Sequence, residues 1–227
     1  MSRPSHRIRP VPDAPRDDED APTPPQGRVT LDEYLAFEEA HPLRHEYIDG
    51  YVYAMSGGST PHGRIVTNVG GHLWMAARGG PGHVYTHDVK LRIGDRVFYP
   101  DVMVVREPGG EDESMAYAPC LLVEVLSRST GLNDRTIKRS AYTSLPSLRA
   151  YWIVAQEWRS VERHWRDDDG AWRTHLVEGD GALDVPCPAR GVLTLDELYE
   201  GLDLPRTPPG GPPIRRVKEG APAFAGA

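Results

Sequence analysis

Cysteine is nearly absent from the chain, which has 227 residues and only two cysteines, Cys120 and Cys187. Neither has a second cysteine at the spacing of a zinc-ligand pair such as CxxC. Because the two lie far apart in the sequence, we expect both to be reduced and to have structural roles.

Long apolar stretches are also missing. No run approaches the roughly 20 apolar residues that span a bilayer. The first residues, MSRPSHRIRPVPDAP, lack the apolar segment of a signal peptide. We therefore expect no membrane association and a cytoplasmic location.

Positive charge is in short supply. The formal net charge is −7, and residues 28–200 carry 18 Lys and Arg against 26 Asp and Glu. An acidic chain does not attract phosphates through a general basic field. Binding of a polyanion would therefore depend on local basic patches or on bound metal.

The two ends of the chain have a composition of their own. Residues 1–27 are rich in Pro and Asp, and residues 203–227 are rich in Pro and Gly. Such segments bury too little apolar surface to offset the entropy of ordering. We expect two disordered tails around one domain at 28–202, a usual length for a single domain.

Helix and hairpin patterns open the central segment. Thr30 and Glu33 have the spacing of a capping box, which predicts a short helix. Asp49-Gly50 between aromatic and β-branched residues predicts a hairpin. Apolar residues at helical spacing predict a longer helix at about 60–78. Further helices are predicted at about 134–144 and at 194–200.

Strand-like runs fill the rest of the domain. Three follow the long helix, namely HVYTHDVKLRI, RVFYPDVMVV and PCLLVEVLS. LRAYWIVA predicts another strand, and Asp169-Gly170 predicts the turn of a later hairpin. The combination predicts an α/β or α+β fold with a mixed β-sheet flanked by helices.

An acid interrupts the most apolar of these runs. Glu124 stands between Val123 and Val125, where an ionised carboxylate costs several kcal/mol unless a cation or hydrogen bonds meet it. Asp101, directly after Pro100, begins the preceding apolar run. Two ionised carboxylates on neighbouring strands repel unless one is protonated or a cation lies between them, and Mg²⁺ suits such oxygen ligands. A buried ion pair with Arg or Lys is the alternative for Glu124.

Lysine is rare, with only Lys90, Lys138 and Lys218 among 26 basic residues. A lysine ammonium is a compact charge whose pKa shifts readily on burial, so it can take part in proton handling. Lys138 follows Glu124 by 14 residues, on a predicted helix that can fold back over the strand end. Pairing with Asp134 on a solvated helix face is the alternative.

Several short segments together resemble the Uma-two family of restriction-endonuclease-like proteins, which belongs to the PD-(D/E)XK nuclease superfamily. The matching segments are RHEYIDGYVYAM, PHGRIV, YPDVMVV, LLVEVLSRST, DRTIKRSAY and YWIV. Their order and spacing across residues 41–155 carry the resemblance, since each segment alone is common. The resemblance implies a restriction-endonuclease-like fold.

The same resemblance implies a metal centre. Asp101 and Glu124 would ligate Mg²⁺ or Mn²⁺, with the backbone carbonyl of Val125 as a further ligand. The superfamily usually has a lysine two residues after the second acid, where this chain has Leu126. Lys138, from the following helix, would take the place of that lysine.

Three further positions follow from the family pattern. Glu46 would be an additional catalytic acid near the site. His62 and Tyr142 match recurrent family positions and are accessory candidates.

Other patterns favour ordinary structural roles. His62, His72, His83 and His87 suggest a zinc site, but their spacing places at most two of them on any one element and no cysteine joins them, which argues against zinc. Asp88-Val89-Lys90 imitates a DxK motif in an alternating strand, and we expect it to face solvent. We expect packing, rather than base stacking, for the tryptophans at positions 152, 158, 165 and 172.

These observations predict a Mg²⁺-dependent endonuclease that hydrolyses phosphodiester bonds of nucleic acid, with DNA as the expected substrate. Cutting both strands generally requires two sites, which by analogy is consistent with a homodimer. The alternative is a protein of the same fold that binds nucleic acid or a protein partner without cleavage, which the acidic balance favours. A metal-dependent hydrolase with another substrate is a third hypothesis.

Overall fold

The computed structural model describes residues 23–55, 57–106, 114–126 and 134–208. The chain divides after Met55 into two compact units.

The first unit contains a helix and a hairpin, as the sequence predicts. Helix α1 (Leu31–Ala40) begins at a capping box, in which Thr30 and Glu33 satisfy each other's backbone amides. Strands β1 (His45–Ile48) and β2 (Tyr51–Ala54) pair antiparallel around the turn at Asp49 and Gly50. Both turn residues have positive φ, which explains the Asp-Gly pair.

The second unit is built on one long helix and a mixed sheet. Helix α2 (Thr60–Ala77) is capped by the Ser59 side chain. Its apolar face, which includes Ile65, Val69 and Leu73, belongs to the main hydrophobic core together with residues of the central strands. Amphipathic spacing thus sets which side of the helix meets the sheet.

Eleven strands lie in the described part of the second unit. They are β3 (His83–Thr86), β4 (Lys90–Ile93), β5 (Arg96–Phe98), β6 (Val102–Val105), β7 (Met115–Ala116), β8 (Pro119–Val125), β9 (Ala150–Val154), β10 (Ser160–Arg166), β11 (Trp172–Glu178), β12 (Ala182–Val185) and β13 (Gly191–Thr194). The main sheet has the order β11-β10-β9-β8-β6-β3, and β8 and β9 run parallel. β4 pairs with β5 and β7, while β12 and β13 form a separate hairpin that the sequence did not predict. The predicted mixed sheet flanked by helices is confirmed.

Two predicted strands are each broken in the middle. The run HVYTHDVKLRI forms β3 and β4, with His87 between them at a φ of 59°. The run RVFYPDVMVV forms β5 and β6, with Pro100 and Asp101 between them. A left-handed residue and a proline each interrupt the ladder, so one continuous strand is not possible in either run.

The predicted helix at 134–144 is present, but it begins in an unusual form. Asp134–Lys138 is a π-helical turn, and helix α3 (Arg139–Thr143) continues directly from it. π-helical turns are rare and occur often at functional sites. The last helix, α4 (Leu195–Leu198), has the capping box expected from its TLDE sequence.

The two cysteines are joined, which makes the expectation that both are reduced wrong. Cys120 on β8 and Cys187, two residues after β12, form a disulfide across a sequence separation of 67, with 6.4 Å between their Cα atoms. The pairing depends on long-range folding, so spacing along the sequence did not reveal it. Disulfides are typical of oxidising compartments, and the cytoplasmic location stays a prediction.

The tails predicted at 1–27 and 203–227 lie mostly outside the described residues. In the described part of the second tail, the Pro205 carbonyl accepts a hydrogen bond from the Arg159 amide, and Leu204 packs against the core. Within the described residues, no helix has the length and apolar character needed to cross a bilayer.

Candidate active site

Two carboxylates meet where β6 begins and β8 ends. Val102 on β6 pairs with Val123 on β8. Continuing that antiparallel register by one residue places Asp101 opposite Glu124. Both acids are buried, with exposed fractions of 7% and 3%. Residues opposite each other across antiparallel strands lie on the same face of the sheet, so this register directs both side chains to one face at the ends of β6 and β8.

Asp101 is oriented by backbone and imidazole groups. Its Oδ2 accepts a hydrogen bond of 2.7 Å from the Val125 amide, and Oδ2 lies 3.2 Å from Nε2 of His62. Nδ1 of His87 lies 3.5 Å from its other oxygen, Oδ1. His87 follows β3, which pairs with β6, so continuing the ladder by one residue places His87 opposite Asp101. His87, Asp101 and Glu124 therefore lie in one row across three strands.

His62 is fixed at the start of α2. Its backbone amide donates to the Ser59 hydroxyl, and its side chain is largely buried beside Asp101. The hydrogen bond to the Asp101 carboxylate raises the pKa of His62 above its ordinary value, while burial opposes this effect. The neighbouring negative charges therefore favour a protonated His62.

Glu124 is met by two donors from the following helical segment. Its Oε1 accepts a hydrogen bond of 3.1 Å from the Lys138 ammonium and one of 2.8 Å from the Tyr142 hydroxyl. These contacts explain how a carboxylate is accommodated in an apolar strand, because a buried charge needs a partner and hydrogen bonds. The metal-ligand and ion-pair interpretations of Glu124 are thus not mutually exclusive.

Lys138 is held between two acids. Besides Glu124, its Nζ lies 3.4 Å from Oδ1 of Asp134, at the other end of the π-helical turn. The exposed fractions of Lys138 and Asp134 are 4% and 1%. The pair therefore does not lie on a solvated helix face, and the lysine is directed into the site.

Aromatic rings form the wall behind these charges. The Tyr151 hydroxyl donates to the backbone carbonyl of Asp134, and the Tyr151 ring packs edge-on against Tyr142. Phe98 also packs edge-on with Tyr142, with 5.3 Å between the ring centres. Burial, and then the charge of Glu124, raises the pKa of Tyr151 well above its usual value. The Tyr151 hydroxyl is therefore a neutral donor that holds the π-helical turn in place.

The donor set suits a hard cation that is coordinated mainly by oxygen. Among the described residues, no three His, Cys, Asp or Glu side chains come together as a metal-binding group. A Mg²⁺ ion needs fewer protein ligands, since it binds through one or two carboxylates and keeps several waters. The Val125 amide points to Asp101, and the amide and carbonyl of one strand residue share the same strand edge. Asp101, Glu124 and the Val125 carbonyl thus fit such an ion.

The structure brings together most of the residues that the sequence singled out. Asp101 and Glu124 of the second unit are contacted by four others, namely His62, Val125, Lys138 and Tyr142. Glu46 lies half-buried on β1 of the first unit, and its catalytic role stays a prediction. Asp88 is exposed as expected, whereas Lys90 is half-buried with its Nζ 3.4 Å from the Ser114 hydroxyl.

Sequence reasoning missed three neighbours of the site. His87 was considered only as a zinc ligand, Asp134 only as a surface partner of Lys138, and Tyr151 only as part of a strand. The positive φ of His87 and the π-helical turn are features of the folded backbone. The best available signal was strand register. β3 ends one residue before His87, β6 begins one residue after Asp101, and β8 ends one residue after Glu124.

Comparisons with known proteins give the family of the chain. Residues 31–196 match the model of the family Uma2, described as "Putative restriction endonuclease". The uncharacterized protein slr1290 of Synechocystis sp. is 31% identical over 185 residues, which is 80% of this chain and 97% of that protein. The uncharacterized protein sll1609 of the same organism is 32% identical over 159 residues, which is 68% of this chain and 90% of that protein.

A solved structure supports the fold. The crystal structure of "a putative nuclease belonging to DUF820" from Anabaena variabilis superimposes with a TM-score of 0.60 at 18% identity, over 75% of this chain and 97% of that one. The architecture is therefore that of the restriction-endonuclease-like fold. Together with the match over 31–196, these relationships show that the chain belongs to the Uma2 family of restriction-endonuclease-like proteins.

Proposed function

We propose that the protein is a Mg²⁺-dependent endonuclease that hydrolyses phosphodiester bonds of DNA. The observation that carries the proposal is the juxtaposition of Asp101 and Glu124 at two strand ends, with the Lys138 ammonium 3.1 Å from Glu124. Membership of a family described as "Putative restriction endonuclease" makes nucleic acid the first substrate class to test.

Asp101, Glu124 and the Val125 carbonyl would hold the metal. When bound, Mg²⁺ or Mn²⁺ lowers the pKa of coordinated water and neutralises charge on a phosphate. Asp101 is suited to this role because the Val125 amide fixes one of its oxygens. Glu124 is suited because Tyr142 and Lys138 both donate to one of its oxygens, Oε1, and so hold that oxygen in place.

Lys138 supplies the fixed positive charge of the site. Its ammonium is anchored by Glu124 and Asp134, so no reorganisation is needed when a phosphate approaches. A donor held in this way can stabilise the negative charge that develops on the phosphate, or it can orient the attacking water. Asp134 thereby acts as a positioning residue for Lys138.

His62 and Glu46 have subsidiary roles in the proposal. His62 holds Asp101 through a hydrogen bond of 3.2 Å and adds positive charge beside the carboxylate when protonated. Glu46 is proposed as an additional acid on family grounds. We also propose a homodimer, because cleavage of both DNA strands generally needs two sites.

A cleavage assay tests the proposal. Purified protein is incubated with DNA or RNA in Mg²⁺, Mn²⁺ or EDTA, together with the variants Asp101→Asn and Lys138→Ala. We expect metal-dependent cutting of DNA that falls by about 100-fold or more in each variant. Lys90→Ala is the matched control, since Lys90 lies outside the site, and it should cut at the normal rate. Undiminished cutting by Asp101→Asn would reject the proposed site.

The alternative is a protein of this fold that binds nucleic acid or a protein partner without cutting. The excess of acids over bases in residues 28–200 favours it, because a general basic field is lacking. Binding of DNA to the protein in EDTA, with no cleavage product in either Mg²⁺ or Mn²⁺, would support this alternative over the endonuclease.

A further inference from the structure

A cavity rich in arginine lies in the second unit, away from the two carboxylates. Its volume is about 710 Å³, and five arginines line it: Arg106, Arg149, Arg163, Arg166 and Arg190. This concentration of positive charge is unexpected in a chain whose net charge is −7. It is the kind of local basic patch that an acidic protein needs if it is to bind a phosphate.

Acidic residues of the lining offset only part of this charge. Three aspartates also line the cavity, and one of them, Asp184, forms an ion pair of 2.7 Å with Arg163. Another, Asp167, is engaged by Arg173, which is not part of the lining. The arginines therefore outnumber the aspartates by two, and one aspartate is held by an outside arginine.

Three of the arginines have no acidic partner among the residues that the structure describes. Across the described ranges, no carboxylate lies within ion-pair distance of Arg106, Arg149 or Arg190. The side chains of Arg149 and Arg190 are exposed at the cavity. Arginine presents a planar fork of donors that matches phosphate oxygens and stays charged at any physiological pH.

The other two arginines are fixed in position. The Arg163 guanidinium lies 4.5 Å from the centre of the Trp165 ring, and the Arg166 guanidinium donates to the backbone carbonyls of Thr143 and Leu145 at 3.3 Å. These contacts order long side chains before any ligand arrives, which lowers the entropic cost of binding. The cavity is thus partly preorganised.

The cavity and the candidate active site lie at opposite ends of neighbouring strands. Arg149 and Ala150 of the cavity stand at the start of β9, whereas Glu124 pairs with Ile153 near the end of β9. Three residues of strand separate Ala150 from Ile153, about 10 Å along the strand. A ligand in the cavity would therefore not occupy the site of Asp101 and Glu124.

We propose that this cavity binds a phosphate-bearing ligand of nucleotide size. The volume falls in the usual range for small-molecule sites, and several arginines in one cavity suit a group with more than one negative oxygen. The phosphate belongs either to a free nucleotide or to a nucleic-acid strand, which present the same chemistry to the arginines. The site is additional to the proposed metal centre and does not depend on it.

Isothermal titration calorimetry at low salt tests the proposal. The probes are ADP, adenosine and a short single-stranded oligodeoxynucleotide, all in EDTA so that the proposed metal centre does not contribute. We expect ADP or the oligonucleotide to bind and adenosine to bind at least about tenfold more weakly. Tighter binding of the oligonucleotide assigns the phosphate to a nucleic-acid strand, and tighter binding of ADP assigns it to a free nucleotide.

Two double variants separate the cavity from the general charge of the protein. Arg149→Gln with Arg190→Gln should weaken phosphate binding by about tenfold or more. Arg78→Gln with Arg92→Gln removes the same charge outside the lining and should leave the affinity within about twofold of the original. Equal weakening by the two double variants, equal binding of ADP and adenosine, or no binding of either phosphate probe would overturn the proposal. A loss of DNA cleavage plays no part in this test, so the two proposals can fail separately.

Discussion

Lys138 is the residue on which the charge balance of the candidate site most depends. It is almost wholly buried, and it contacts the carboxylates of both Glu124 and Asp134. Removing one member of a buried ion pair leaves the other charge without compensation, whereas the intact pair contributes little net stability. The lysine is therefore both a proposed catalytic group and a structural requirement of the apo protein.

Replacement of Lys138 by Met should be strongly destabilising in EDTA. We expect the free energy of unfolding to fall by about 3–5 kcal/mol, as measured by urea denaturation at neutral pH, because Met keeps the apolar stem but removes the ammonium. Lys90→Met removes an ammonium whose hydrogen-bond partner among the described residues is the Ser114 hydroxyl, and it should cost less than about 0.5 kcal/mol. Similar losses in the two variants would contradict the buried charge cluster.

His62 should make the stability of the apo protein depend on pH. Its pKa is raised in the folded state by Asp101, so the protonated form contributes stability that is fully present below the ordinary pKa of about 6.5. That contribution is lost as the pH rises through the higher folded pKa. The stability difference between the native protein and His62→Gln, measured by urea denaturation in EDTA, should therefore shrink with rising pH. A difference that is constant or grows would contradict the His62–Asp101 interaction.

At the scale of elements, the site is assembled by interruptions of regular structure. β3 ends before His87, β6 begins after Asp101, and a π-helical turn presents Lys138. An interrupted strand frees a side chain and its backbone from the ladder, so that both can point toward a ligand. The breaks in two predicted strands are therefore part of the candidate site.

The break at His87 gives a prediction about backbone strain. His87 has a backbone φ of 59°, which lies in the left-handed region. Residues with a Cβ adopt this conformation at an energetic cost, whereas glycine adopts it freely. His87→Gly should therefore be more stable than His87→Ala by about 0.5–1 kcal/mol in thermal or urea denaturation. An alanine variant as stable as the glycine variant would show that the left-handed conformation is not retained.

Sequence patterns were sufficient to identify the site residues that stand out from their immediate neighbours in the chain. An acid inside an apolar strand, a second acid after a proline and a scarce lysine pointed to Glu124, Asp101 and Lys138. The strand breaks and the burial of Asp134 depend on which elements pack together, which local propensity does not specify. The helix at 134–144 was predicted with Asp134 and Lys138 four residues apart on one face, but its π-helical start was not predicted.

At the scale of the whole second unit, the Cys120–Cys187 disulfide ties a central strand to the segment after β12. It closes a loop of 67 residues, for which chain entropy predicts a stabilisation of about 4 kcal/mol. Replacement of both cysteines by Ala should lower the free energy of unfolding by about 2–4 kcal/mol.

Thiol titration provides a direct check of this disulfide. Protein denatured without reductant should show no free thiol, and protein denatured after reduction should show two. Two thiols without reductant would contradict the disulfide and would restore the original expectation of reduced cysteines.

The central claim is that Asp101 and Glu124 hold a divalent cation. The most direct measurement is an anomalous difference map from crystals soaked in Mn²⁺, with crystals of Asp101→Asn as the control. We predict a peak within coordination distance of both carboxylates and of the Val125 carbonyl, and no such peak in the variant. A native map that shows the Lys138 ammonium between the two acids, and no manganese peak there, would contradict this claim.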